Sequence, residues 1–129
     1  MEDFKHKDIT DGVINAFYKV YNVLGYGFLE KVYENALYLE LTAAGYWVVK
    51  QQPIKVYYKE LQVGDYYADL VVEDLVIVEI KAAEGLVEEH EFQLINYLKA
   101  TDKEVGLLLN FGKRPQFKRK IFTNRIEHG

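Results

Sequence analysis

A chain of 129 residues that is half hydrophobic and 15% aromatic can bury one core of its own, and its net charge of −4 argues against a role in coating nucleic acid. It has no cysteine, which excludes disulfides and thiolate metal sites. Met1 to Ile9 is charged rather than apolar, unlike a signal peptide, and no apolar run approaches the roughly 20 residues that cross a bilayer. The expectation is one soluble, cytoplasmic domain over residues 1–129, with no membrane partner.

In chain order, Val13, Phe17, Val20, Tyr21 and Leu24 recur at three- and four-residue spacing and predict an amphipathic helix over 11–24, with Thr10 as its N-cap. Gly25-Tyr26-Gly27 interrupts the pattern. A second helix is predicted from Phe28 to Ala44, with Leu29, Val32, Ala36, Leu37 and Leu41 or Leu39 facing inward and Gly45 at the C′ position. The period then drops to two. Tyr46–Lys50, Ile54–Lys59, Gln62–Val72 and Leu75–Lys81 read as strands separated by Pro53, Lys59-Glu60 and Glu73-Asp74. The two-residue Glu73-Asp74 connection predicts an antiparallel hairpin. A third helix follows from Val87 to Thr101, with Phe92, Ile95 and Leu98 inward, and Val105–Phe111 reads as a buried strand. Phe117–Phe122 fits either a helical turn or an edge strand. The predicted order ααββββαβ is an α/β fold in which helices flank a mixed sheet.

The chemistry concentrates in Asp69 to Lys81. The strand ending in Glu79-Ile80-Lys81 is otherwise apolar, and alternation puts Glu79 and Lys81 on one face. Asp69 lies on the preceding strand, across the hairpin. Two carboxylates and an ammonium at the edge of a core are costly unless they pair or bind a metal. Oxygen donors without thiolate or clustered histidine suit Mg²⁺ or Mn²⁺, and a metal there would serve phosphodiester hydrolysis. A structural Glu–Lys pair beside an unrelated Asp69 explains the same residues equally well.

The spacing Asp69-(x9)-Glu79-Ile80-Lys81 resembles the signature of PD-(D/E)XK nucleases, and the predicted order contains their αβββαβ core. Gly27-Phe28-Leu29-Glu30-Lys31-Val32-Tyr33 resembles the hallmark of the small GxxExxY proteins, a branch of that superfamily. Tyr67-Ala68-Asp69-Leu70, the His90–Leu98 stretch containing Gln93 and Asn96-Tyr97, and Leu109-Asn110-Phe111 add to the likeness, which spans Gly25 to Ile121. The resemblance implies that Asp69 and Glu79 are direct metal ligands, with the Ile80 carbonyl as a third. It also implies that Lys81 orients the attacking water, that Glu30 bears on the metal through a water, and that Gln93 faces the site. Tyr67 stands where a basic residue is expected and Tyr26 where proline is common.

The implied function is a metal-dependent nuclease acting on nucleic acid, with DNA the expected polymer. The competing reading is a non-catalytic binding or assembly module whose acidic site is structural. From Lys113 to the end, six basic residues face one acid. Lys113, Arg114, Lys118, Arg119 and Lys120 are thus either a phosphate-binding edge or a solvated terminal segment. Outward tyrosines, together with the hydrophobic fraction, suggest a homodimer under either reading.

Overall fold

The computed structural model describes residues 5–123. Two helices, α1 (Lys7–Leu24) and α2 (Glu30–Ala43), precede three strands, β1 (Val48–Tyr58), β2 (Leu61–Val72) and β3 (Val76–Lys81). Helix α3 (Glu88–Lys99) and strands β4 (Val105–Phe111) and β5 (Pro115–Ile121) complete the fold. The strands lie in the order β1-β2-β3-β4-β5. All neighbours are antiparallel except β3 and β4, which run parallel because α3 carries the chain across between them. The stretch from α2 to β4 is therefore the expected αβββαβ core, flanked by helices. The segment that fitted either a helical turn or an edge strand is the edge strand β5.

One face of the sheet packs on α1 and α2. Val13, Phe17 and Val20 from α1 and Tyr33, Leu37 and Leu41 from α2 are buried against Leu70, Val78, Leu107 and Phe111. Tyr33 stacks on Phe111 at 4.2 Å between centroids, and Phe17 meets the same ring edge-on at 4.8 Å. This aromatic contact sets the rotation of α2. Its inward face is Tyr33, Leu37 and Leu41, and the predicted inward residues Leu29, Val32 and Leu39 are exposed instead. Thr10 is likewise not a cap: α1 starts one turn earlier, and the Thr10 hydroxyl donates to the Lys7 carbonyl from inside the helix.

Among the described residues, α3 is the helix that covers the other face. Leu94, Tyr97 and Leu98 pack on Ile54, Val71, Ile77 and Leu108. Phe92, predicted inward, is 59% exposed, because the helix meets the sheet one residue around from the predicted stripe.

The β1–β2 and β2–β3 hairpins each turn through two residues with positive φ, Lys59-Glu60 and Glu73-Asp74. That is the backbone whose twist matches a tight antiparallel hairpin. The two strands predicted around Pro53 are one continuous strand, β1, with an irregularity inside it. Between the Lys50–Leu70 and Gln52–Ala68 pairs, Gln51 adopts φ 53°. The burial phase reverses across it. Val48 packs on the α1/α2 side and Ile54 on the α3 side, although an even number of residues separates them. On β2, Leu70 and Ala68 show the same reversal. A local twist of this kind flips which side chains face each layer, so the period-two pattern breaks where the strand does not.

Candidate metal centre

Gln51, the positive-φ residue of β1, flanks β2 at Asp69, between the Lys50–Leu70 and Gln52–Ala68 pairs. On the other side of β2, the β2–β3 ladder ends at the Leu70–Val78 pair. Beyond that pair, side chains replace the backbone partners. The Asp69 amide donates to Glu79 Oε2 at 2.9 Å, and the Ile80 amide donates to Asp69 Oδ2 at 2.8 Å. Each acid thus satisfies an amide that the separating strands leave unpaired, and each keeps one oxygen outside these two bonds.

The electrostatics are those of carboxylates held out of water. Burial pushes the Glu79 carboxyl up to about 8, and the neighbouring Asp69 charge adds to the rise. Burial also raises Asp69, against the Ile80 amide, which favours its charged form; the charge of Glu34 pushes upward too. Lys81 opposes the rise at both acids, and Glu30 adds to it at both. Tyr97, on α3, is pushed up to about 12 by burial and by the charges of Glu79 and Asp69. Four carboxylates, one ammonium and one phenol therefore act on one another where α2, the β2–β3 break and α3 meet.

Each element contributes for a local reason. Lys81 ends β3, and its ammonium donates to Gln93 Oε1 on α3 at 3.3 Å. Glu30 is the exposed first residue of α2, where the helix N-terminus favours an acid. The preceding turn is tied down by Tyr33, whose hydroxyl donates to the Gly25 carbonyl at 2.8 Å and accepts from the Phe28 amide at 3.2 Å. Gly25 and Gly27 adopt φ of 67° and 112°, conformations natural only to glycine. After Lys81, buried Asn110 grips Ala83 twice, accepting from its amide and donating to its carbonyl. Gly112 lies so close that a Cβ there would come 2.4 Å from the Ala83 carbonyl oxygen.

The structure therefore brings Glu30, Asp69, Glu79, Lys81 and Gln93 to one end of the sheet. It adds two residues that the sequence reading did not place there. Glu34 is buried and accepts from Gln51 Nε2 at 3.0 Å and from Lys31 Nζ at 3.3 Å. Its signal in the sequence was only its position one helical turn after Glu30. Tyr97 belonged to the His90–Leu98 likeness, but nothing there gave it a role at the acids. The basic segment is largely engaged elsewhere. Lys118 and Lys120 pair with Glu91, at 3.8 and 2.6 Å, and Arg119 donates to the Lys5 carbonyl. Lys113 and Arg114 are exposed in the β4–β5 turn, at the same end of the sheet as Lys81.

The donor set fits a hard divalent cation. The buried Glu79 and the partly buried Asp69 both hold protons more tightly than usual, the Asp69 charge adding to the rise at Glu79, and a cation relieves the same burden. Among the described residues no three acidic or histidine side chains converge as a ready-made cage. Two carboxylates with water and substrate oxygens are the usual holding of Mg²⁺, which does not require one.

Beside this site, a cleft of about 850 Å³ opens between α3 and the far arm of the β1–β2 hairpin. Gln93 and Tyr97 line its near end.

A five-stranded mixed sheet flanked by helices, with two acids and a lysine at a break beside its central hairpin, is the architecture of restriction-endonuclease-like α/β proteins. The family model of the PD-(D/E)XK nuclease superfamily matches residues 7–121, and the chain belongs to that superfamily. No curated protein and no solved structure matches the chain. Among the described residues no helix is long and apolar enough to cross a membrane.

Proposed function

We propose that this protein, as a single nuclease-like domain of the GxxExxY branch, hydrolyses phosphodiester bonds of nucleic acid, DNA in the first instance, with Mg²⁺ or Mn²⁺. The observation that carries the reading is the pair of carboxylate–amide bonds, Asp69 N–H to Glu79 and Ile80 N–H to Asp69, which holds two desolvated acids side by side. In this reading Asp69, Glu79 and the Ile80 carbonyl hold the metal, and Glu30 bears on it through water. When bound, the metal lowers the pKa of water and offsets charge developing on phosphate. Lys81, steadied by Gln93, orients the attacking water and faces the same developing charge. Lys113 and Arg114 meet the flanking phosphates, whereas Lys118, Arg119 and Lys120, expected to join them, are engaged with Glu91 and the Lys5 carbonyl. The protein acts in the cytoplasm, and two copies pair through exposed side chains of the hairpin arm such as Tyr58, Leu61 and Tyr67; light scattering tests the pairing.

The test is thermal unfolding in EDTA, Mg²⁺ and Mn²⁺ for the wild type and Asp69→Asn, with plasmid nicking followed in the same samples. The expected result is metal-induced stabilisation and nicking in the wild type. The variant should lose the metal shift and about a thousandfold in nicking, equivalent to several kcal/mol of charge stabilisation. A wild type that shows neither a metal shift nor nicking would leave a second reading, a non-catalytic binding or assembly module.

A further inference from the structure

The cleft between α3 and the hairpin arm is not explained by metal chemistry. It is lined by aromatic rings on both walls, Tyr57 and Tyr66 from the arm and Phe92 and Tyr97 from α3. Three of these rings are about half exposed or more: Tyr57 at 60%, Phe92 at 59% and Tyr66 at 49%. Tyr66 and Tyr97 approach to 5.7 Å at a tilt of 44°, so neither covers the other's face. The polar lining consists of amides, Gln93 and Asn96, with one acid, Glu89, offset by one base, Lys99. Such a wall offers stacking surfaces and amide hydrogen bonds but no field for phosphates. About 850 Å³ falls within the usual ~300–1,000 Å³ of a small-molecule site.

Two further observations say what the cleft holds. It adjoins the candidate metal centre: Gln93 lines it while accepting from Lys81, and Tyr97 lines it while lying near enough to Asp69 and Glu79 to feel their charges. A strand whose phosphate sits at Asp69 and Glu79 would therefore lay its next residues into the cleft. The remainder of the surface is poorly suited to a duplex, because tight duplex binding draws on many lysine and arginine contacts to phosphate. Here the net charge is −4, and Lys118 and Lys120 are already paired with Glu91. In a duplex the base faces are stacked on one another and cannot meet tyrosine or phenylalanine.

We propose that this aromatic cleft takes one or two unpaired nucleotides of the strand being cut, so that the substrate is a single-stranded nucleic acid or a single-stranded end. The proposal rests on the nuclease reading above and names its substrate class. Stacking selects for an exposed base of any identity, so sequence preference is weak. The sugar is not distinguished by these rings, and DNA and RNA share the recognised chemistry.

Fluorescence anisotropy in EDTA with labelled oligo-dT, oligo-rU and a duplex of equal length tests it on the wild type, Phe92→Ala and Tyr66→Ala. The expected result is single-strand binding at least about tenfold tighter than duplex binding. Each variant should weaken it by about fivefold to a hundredfold, the usual effect of removing one stacking ring. Whichever of oligo-dT and oligo-rU binds more tightly identifies the polymer. The metal-induced rise in melting temperature should survive in both variants, which shows that the fold and the metal centre remain intact. Duplex binding as tight as single-strand binding, or binding unchanged in both variants, would overturn the proposal. So would self-association lost on Phe92→Ala, which would assign the cleft to a second copy of the chain. Metal-dependent nicking with no cleft effect sinks the cleft alone, whereas strand binding at the cleft without metal response or nicking sinks the nuclease reading alone.

Discussion

The two faces of the sheet are built to different standards. On the α1/α2 face, Phe17, Tyr33 and Phe111 interlock within a large buried cluster. On the α3 face, one helix covers the central strands and leaves Phe92 and the arm tyrosines around an open cleft. The carboxylates lie where these two regimes meet. Holding Glu79 and Asp69 out of water is destabilising, and a closely packed opposite face is what makes that tolerable. The lesson is a division of labour in which one layer supplies stability while the other keeps polar and apolar surface available for a ligand.

The comparison breaks most decisively at Phe17. Phe17→Ala, fully buried on the closed face, should cost about 3–5 kcal/mol in urea unfolding. A loss below about 1 kcal/mol would mean that this face is not the stabilising one.

The pH dependence tests the boundary itself. Glu79 holds its proton up to about 8 in the folded chain, against an ordinary value of 4.5. Between those values the folded state binds the extra proton, so metal-free stability should fall as pH rises through the window and level off above it. The slope approaches about 1.4 kcal/mol per pH unit, and the raised Asp69 adds with the same sign. Glu79→Gln keeps an oxygen for the Asp69 amide but carries no charge. It should flatten the profile, leave the metal-free protein more stable than wild type at pH 9, and lose the response to Mg²⁺. Calorimetry across pH in EDTA checks both; a wild-type profile that rises with pH would refute the desolvated pair.

A smaller effect links the closed face to the site. Tyr33→Phe keeps the stack on Phe111 and removes the bonds to Gly25 and Phe28. It should cost about 1 kcal/mol and reduce nicking by more than that stability change explains, because Glu30 follows this turn. Equal nicking by wild type and variant would remove the turn from the site. Smallest of all, Phe92→Ala on the open face should change stability by no more than about 0.5 kcal/mol, since a half-exposed ring has little burial to lose.

Much of this was legible in one dimension. Helix and strand periodicity, the tight turns at Lys59-Glu60 and Glu73-Asp74, and the spacing from Asp69 to Lys81 all reflect local chain geometry, which neighbouring residues dictate. The outward apolar residues of α2 were misread because Leu29, Val32 and Leu39 form nearly as regular a stripe as Tyr33, Leu37 and Leu41. Only the Phe111 ring, brought in by a distant strand, selects between the two. The split of β1 was misread because the burial phase reverses at Gln51, and only pairing with β2 shows one strand running through the reversal. Glu34 and Tyr97 were invisible as site residues for the same reason: their partners lie on other elements, and charge–charge effects depend on distance through space rather than along the chain. Sequence alone thus determined the superfamily's elements, their order and the acids with the lysine among them. The tertiary structure decided that those acids are desolvated, that they take up the amides of Asp69 and Ile80 where the β2–β3 ladder ends, and that an aromatic cleft opens beside them.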